Sequence, residues 1–312
     1  MQKKKIISRL LQMLIVLLGI SFMAFLLTYL APGDPITAMY SAAGVTPKPE
    51  QLEAARKAMG LDKPFIVQYG TWLINCLHGD FGTSFSNKQN VLSLLMLRFK
   101  PTVRLAFFSM LLMLAISIPL GILSAVKQYS WCDNLIRVLN FLGISMPGFW
   151  LGLLLQYIFA LKLHMLPVAS STLDMKRMIL PCVTLAVAMT SKYTRQVRAS
   201  VLDELSMDYV IGARARGLGK WRILFAHVLP NAMLPLITLL GISFGSLLGG
   251  TAVVEMIFSY PGLGEMGVRA VRGRDYPLIQ GFVLWVALIY MLINLLVDIS
   301  YSLCDPRIRE KR

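Results

Sequence analysis

Polar positions in this chain gather into a few short stretches, and long apolar blocks fill the intervals between them. Each block holds about 20 residues, enough to cross ~30 Å of hydrocarbon at ~1.5 Å of rise per residue. The pattern predicts crossings at Leu10–Leu30, Val103–Val126, Leu135–Leu161, Met178–Arg195, Ala232–Glu255 and Leu278–Tyr301. The expected fold is therefore an all-α polytopic membrane protein with six transmembrane helices. The first block follows the basic start "MQKKK", as a secretory signal would. It is long enough to span, however, and "TYLAPGD" lacks an A-x-A cleavage pattern, so it reads as an uncleaved anchor.

Between the first two blocks lies a longer polar segment with helix grammar of its own. "TPKPEQLEAARKAMG" places Pro in a first turn and Gly60 at a stop, and "KPFIVQYGTWLINCLHG" repeats this with Pro64 and Gly79. Tyr69 and Trp72 suit a membrane–water interface. The expected organisation is an anchor over 1–31, a small helical cap over 32–101, a transmembrane core over 102–301 and a tail over 302–312. A loosely ordered loop is the competing reading of the cap.

Composition sharpens this picture. Hydrophobic residues make up 56% of the chain and charged residues only 15%, with a mean hydropathy of +0.64. The net charge of +15 needs a membrane explanation before a nucleic-acid one, because basic residues at helix ends set orientation and no RNA- or DNA-binding motif is present. With the N-terminus inside, 17 Lys or Arg residues lie in cytoplasmic segments and six in the short outer loops. Both termini are thus expected on the cytoplasmic side. Cys76, Cys132, Cys182 and Cys304 are scattered, as are His78, His164 and His227, so neither a metal site, a cofactor site nor a catalytic constellation is expected. The acids in or beside the spans are Glu255 and Asp298, both near span ends, which leaves the midplane without an ion-coupling group.

One cationic stretch, "YVIGARARGLGKWRILFAHVLP", interrupts the apolar second half. Seven Lys or Arg residues lie from Lys192 to Arg222. At about 2.5–3.5 kcal/mol each near a span centre, burying them in lipid would cost on the order of 20 kcal/mol, so the stretch is a cytoplasmic loop over 199–230. Asp203, Glu204 and Asp208 come early and Arg214, Arg216, Lys220 and Arg222 late, which complements the dipole of a short helix ended by Gly217-Leu218-Gly219. Ala213 and Ala215 keep its surface low, as a helix entering a groove of another protein requires. A basic loop held on anionic lipid explains the charge but not the small residues. "GARARG" has the GxxxxG spacing of a phosphate loop, but Leu218 and Gly219 stand where Lys and Ser/Thr must follow, so nucleotide hydrolysis would fall to another polypeptide.

This loop resembles the "EAA" signature of the permease subunits of bacterial ABC importers, with Gly217 on the signature Gly and Leu229-Pro230 on its Leu-Pro. "RDYPLIQ", "YPGLG", "GISMPGFW", "DPRIR", "GLDKPFIVQYGTWL" and "GDFGTSF" resemble the first permease subunit of the dipeptide, oligopeptide and nickel importers over nearly the whole chain. The resemblance implies a type I ABC importer transmembrane domain in the bacterial inner membrane, with no catalytic residue. It implies a second homologous permease, two ATP-binding subunits and an extracytoplasmic solute-binding protein as partners, besides membrane lipid. It also implies that Asp208, Tyr209, Ala213, Arg214, Ala215, Gly217, Leu218 and Pro230 form the ATPase-coupling segment. Gly212 stands where the signature has Glu, Arg214 where it has Ala and His227 where it has Ile, so an acidic contact is not carried over, and Asp208 in the preceding turn is the acid that could supply one. The cap lends a slight lean to nickel over peptides, without a His or Cys cluster to support it. Bulky residues at Ala213, Ala215 or Gly217 are expected to abolish uptake while leaving insertion intact.

The fifth span carries Gly241, Gly245 and Gly249 on one face, with Gly250 beside them and the hydroxyls of Ser243, Ser246 and Thr251. Small residues let helix backbones approach closely in lipid. Helix packing and a wet translocation path are both open for this face. "FSYPGLGEMGVRAVRGRDYPL" reads as an outer hairpin broken at Pro261, Gly262 and Gly264, with "GVRAV" as a short helix. The rival functions are a self-sufficient channel or secondary transporter and an intramembrane enzyme. Solute flux through the chain alone would favour the first, and the second lacks paired polar groups at depth.

Overall fold

The computed structural model describes residues 2–42, 44–168 and 175–304. Among them there are no strands, only an isolated bridge between Thr83 and Asn90. The chain divides into two compact units, Met1–Thr102 with Pro261–Leu292, and Val103–Tyr260 with Ile293–Arg312. The tail motif "DPRIR" lies outside the described residues.

In the first unit, α1 (Gln2–Leu30) runs beside α4 (Phe65–Leu77). Their contact is aromatic: Phe22 meets Phe65 and Tyr69 edge-on at 5.6 and 5.4 Å, and Phe25 lies 5.5 Å from Trp72. The Tyr69 and Ser21 hydroxyls are 2.9 Å apart. Two short helices, α2 (Pro35–Ala42) and α3 (Pro49–Ala58), precede α4. Pro49 opens α3, whose N-cap amide, Lys48 N, donates to Gln51 Oε1 at 3.0 Å. Gly60 and Gly79 follow α3 and α4 at φ +67° and +84°, backbone that glycine adopts without strain.

Helix α5 (Val91–Val126) begins twelve residues before the predicted crossing at Val103 and carries Pro101 and Pro119 within it. In the first unit its start packs against α13 (Leu263–Arg272) and the start of α14 (Tyr276–Cys304). Gly281 permits the approach, since a Cβ there would sit 2.6 Å from Val91 Cγ1. The amide of Leu263 donates to Thr102 Oγ1 at 2.8 Å, which satisfies one open donor at the start of α13. That helix is longer than "GVRAV" and includes Gly264, so Pro261 and Gly262 mark the break but Gly264 does not. Its helical backbone satisfies itself, and the buried face of Leu263, Met266 and Ala270 selects helix over loop.

In the second unit, α6 (Trp131–Ser145) and α7 (Gly148–Leu155) occupy the predicted single crossing Leu135–Leu161. They meet at a bend of 99°, and α7 runs on as a π-helical stretch, Gln156–Lys162. Pro147 explains the break: it has no N–H to donate and biases Met146 to the extended backbone seen there, ψ 127°. Helix α8 (Met175–Leu205) packs along this pair. Gly143 and Gly152 bring the helices together, against Ser191 and Thr184 respectively. Next come α9 (Asp208–Ala215), α10 (Lys220–Ile223), a π-helical turn over Leu224–Val228, α11 (Leu229–Gly250) and α12 (Ala252–Ile257).

Among the described residues, three helical segments are long and apolar enough to cross a membrane, Ile7–Leu30, Val91–Val126 and Tyr276–Val297, and two bent pairs raise the number to five. Helix α8, which holds the predicted crossing Met178–Arg195, is not among them. Its polar side chains Thr184, Thr190, Ser191 and Thr194 are buried within the unit, so its hydropathy understates how well protein shields it.

Candidate functional site

The basic stretch folds as an elbow between two long helices. The expectation of one helix from Asp203 onward is corrected: Asp203 and Glu204 end α8, and α9 starts afresh at Asp208. Only Asp208 therefore stands in the first turn of α9 and only Arg214 in its last, while Lys220 and Arg222 belong to α10. The break follows from "LSMD", where Ser206 leaves the helix with its hydroxyl donating to Asp203 O at 2.7 Å.

The elbow has an inner and an outer face. Val210 and Ala213 are buried and join Ala125, Val197, Val201, Ile223, Leu224 and Val228 in one apolar cluster. Asp208, Tyr209, Ile211, Gly212, Arg214, Ala215, Arg216 and Gly217 are exposed. Leu218 packs partly against the cluster, and its amide donates to Ala213 O at 3.2 Å, closing the turn. Gly217 has φ +80°, which a side chain resists. Gly212 by contrast has helical backbone with no atom within 4 Å of a built Cβ. The even role assigned to Ala213 and Ala215 does not hold: Ala215 lies on the surface, and Ala213 belongs to the core beneath it.

Tyr209 is fixed by its hydroxyl, which donates to Glu204 Oε2 at 2.7 Å. Pro230 is exposed in the first turn of α11, where its missing N–H matters least. The π-helical turn before it leaves carbonyls out of register, and Asn231 Nδ2 donates to one of them, His227 O, at 3.0 Å. Neither the π turn nor the exposed aromatic pair Trp221–Phe225, stacked at 5.9 Å, was expected from the sequence. Trp221 and Phe225 stand four apart, a spacing that could have revealed the pair.

Beneath the elbow a buried ion pair fastens the helices. Asp133 is fully buried and receives Arg198 Nε and a terminal guanidinium nitrogen, both at 2.9 Å. It also accepts from Ser124 Oγ and from Tyr129 N at 3.0 Å. This joins the end of α5, the α5–α6 turn and α8. Sequence spacing does not expose it, because Asp133 and Arg198 lie far apart in the chain.

The small-residue face of α11 divides. A Cβ on Gly241 would collide with Val297 of α14, so this glycine serves helix packing. Gly245 is buried. The Tyr193 hydroxyl donates to Leu239 O at 2.7 Å, and its oxygen pairs with the Ser243 hydroxyl. Thr251 is buried at the α11–α12 junction and donates to Glu255 Oε1 at 3.0 Å. The surroundings of Ser246, Gly249 and Gly250 lie outside the described positions.

Residues 117–310 match the model of the binding-protein-dependent transport system inner membrane component, and residues 2–106 match that of its N-terminal part. The chain is 37% identical to the probable D,D-dipeptide transport system permease protein DdpB of Escherichia coli (strain K12), over 95% of this chain and 94% of that one. It is 40% identical to the glutathione transport system permease protein GsiC of Salmonella typhimurium, over 98% and 99% of the two chains. It is also 40% identical to the oligopeptide transport system permease protein AppB of Bacillus subtilis, over 97% and 98%. Among solved structures, an inward-facing MetNI methionine ABC transporter matches 68% of this chain and 96% of its own, with TM-score 0.55 and 20% identity, a likeness of fold. An all-helical chain with several apolar crossings and relatives of this kind is a multi-pass transport subunit of the inner membrane. The chain belongs to the binding-protein-dependent transport system inner-membrane components, the permease subunits of ABC importers.

Proposed function

We propose that this permease carries a peptide-class solute, a di- or oligopeptide or glutathione, and that its basic elbow takes up force from a separate ATP-binding subunit. The observation that carries the proposal is the two-faced α9: an apolar base rooted in the unit's core supports an exposed surface where Gly212 and Ala215 are low enough to enter a groove, with Arg214 beside them. Asp208 and Arg214 at opposite ends of α9 offer charges to such a groove, and exposed Ile211 adds apolar surface. By kinship the assembly contains a second homologous permease, two ATP-binding subunits and an external solute-binding protein, with both termini of this chain in the cytoplasm.

The solute class follows the relatives, which are named for D,D-dipeptide, glutathione and oligopeptide transport. Those names give the earlier lean to nickel no support, and the described residues contain no cluster of three His, Cys, Asp or Glu suited to a metal ion. The test of coupling is Gly212→Trp. Because Gly212 is helical and faces open space, the variant should insert and fold normally yet lose uptake, with ATP hydrolysis no longer responding to the loaded binding protein. Normal uptake would remove the proposal. Gly217→Trp is a poorer probe, since its φ of +80° would strain any side chain.

A further inference from the structure

The first unit contains a cavity of about 1170 Å³ for which the coupling reading has no use. Its walls come from the ends of α1 and α3, the side of α4, residues 83–88 and the start of α14. Such a volume accommodates a small molecule with room to spare.

Three features of these walls point the same way. Two hydrogen-bond donors are left over. Trp72 Nε1 and Tyr276 Oη are buried with no partner among the described residues, and both residues line the cavity. Tyr276 is only 8% exposed, so water does not relieve its hydroxyl. The charge is also unbalanced, with Arg56, Lys57, Lys63 and Lys88 facing only Asp34 and Asp62. Arg56 is engaged by Asp34 at 3.2 Å. Partial burial pushes the Asp34 carboxyl up, but hydrogen bonds from Arg56 and Thr37 outweigh it and hold the group below the ordinary carboxylate range. Lys57, Lys63 and Lys88 have no carboxylate partner among the described residues. Finally, Phe25, Tyr29, Met39 and Met59 supply apolar wall beside these polar groups.

We propose that the cavity binds an oxyanion carried on an apolar body, a carboxylate or a phosphate ester. The lysines attract the charge, Trp72 and Tyr276 donate to its oxygens, and the aromatic and methionine wall receives the apolar part. Both donor atoms are shielded from solvent, so binding includes a side-chain rotation at the wall. Membrane phospholipid and a free carboxylate solute present the same chemistry. The proposal does not rest on the coupling reading.

The test uses the full chain in nanodiscs. N-acetylphenylalanine, its amide, phosphatidylglycerol and phosphatidylcholine are the probes, read by native mass spectrometry and tryptophan fluorescence. A free-carboxylate site retains N-acetylphenylalanine over its amide, whereas a lipid site retains phosphatidylglycerol over phosphatidylcholine. In either case Tyr276→Phe and Trp72→Phe should each weaken the preferred probe about tenfold, the loss of one hydrogen bond to a charged group. Replacing Lys57, Lys63 and Lys88 together by Gln should weaken it further and flatten its salt dependence. Tyr276→Phe keeps the ring and its contact with Phe85, so weaker binding with unchanged thermal unfolding speaks for the site. Absence of preference for either anion, or equal affinity in all variants, overturns the proposal.

Discussion

Asp275 in the first unit and Asp133 in the second, both fully buried, each hold a turn to a helix by different means. Among the described residues, Asp275 accepts only from neutral donors: Ser84 Oγ, the amides of Phe85 and Ser86 at 3.0 and 3.1 Å, and that of Leu278 at 3.4 Å. Asp133 accepts from a serine hydroxyl and an amide too, but adds the two-pronged grip of Arg198. The neutral cradle of Asp275 fixes a loop onto the start of α14, a task met by short, directional bonds. The ion pair of Asp133 ties α8 to the α5–α6 turn, and α8 leads directly into the elbow. A charged clasp with bidentate geometry resists shear between helices better than single neutral bonds. At this point the first unit is fastened by neutral bonds alone, and the second is braced by an ion pair along the line where force is proposed to enter.

The comparison can be broken most sharply at the elbow. Gly212→Trp or Ala215→Trp should cut uptake at least tenfold with membrane insertion unchanged, read by transport in proteoliposomes carrying the whole assembly. Ala213→Trp should instead lower the amount of folded protein, because Ala213 lies in the core beneath α9.

Removing one partner of the buried ion pair comes next. Arg198→Met leaves Asp133 buried and unpaired and should cost about 3–5 kcal/mol in an unfolding titration in mixed micelles. Asp133→Asn with Arg198→Met should recover part of that, showing how much of the loss is the stranded charge. Asp275→Ala, which strands neutral donors only, should cost less, on the order of 2 kcal/mol. Equal losses at Asp133 and Asp275 would erase the contrast between the units.

Two smaller effects sharpen the picture. Gly241→Ala should cost about 1–3 kcal/mol by driving α11 from Val297, and Val297→Ala in the same chain should restore part of it. Ser130→Ala removes the N-cap acceptor of α6, which receives Asp133 N at 3.3 Å, and should cost about 1 kcal/mol.

What the sequence disclosed was whatever has a short period or a strong local chemistry. Apolar blocks gave away α1, α5 and α14, and the Pro-to-Gly grammar gave away α3 and α4 nearly to the residue. The turn at Gly217 was equally legible, since few residues other than glycine adopt φ +80° readily. The bend at Pro147 was written in the chain but overridden by continuous hydropathy around it. Pairing across the fold left no such trace. Which of Ala213 and Ala215 turns inward depends on where α9 begins, and that is set by the break at Ser206. Asp133 reaches Arg198, and Asp275 reaches Ser84, only after the helices have packed.

The most direct measurement places a photo-crosslinking residue at exposed Ile211 and, as a control, at exposed Val253 of α12, in membranes holding the full transport system. Irradiation should join the Ile211 chain to the ATP-binding subunit in high yield, while the Val253 chain should not join it. Crosslinks from Ile211 to lipid alone, with uptake intact, would contradict the account of an elbow driven from outside the chain.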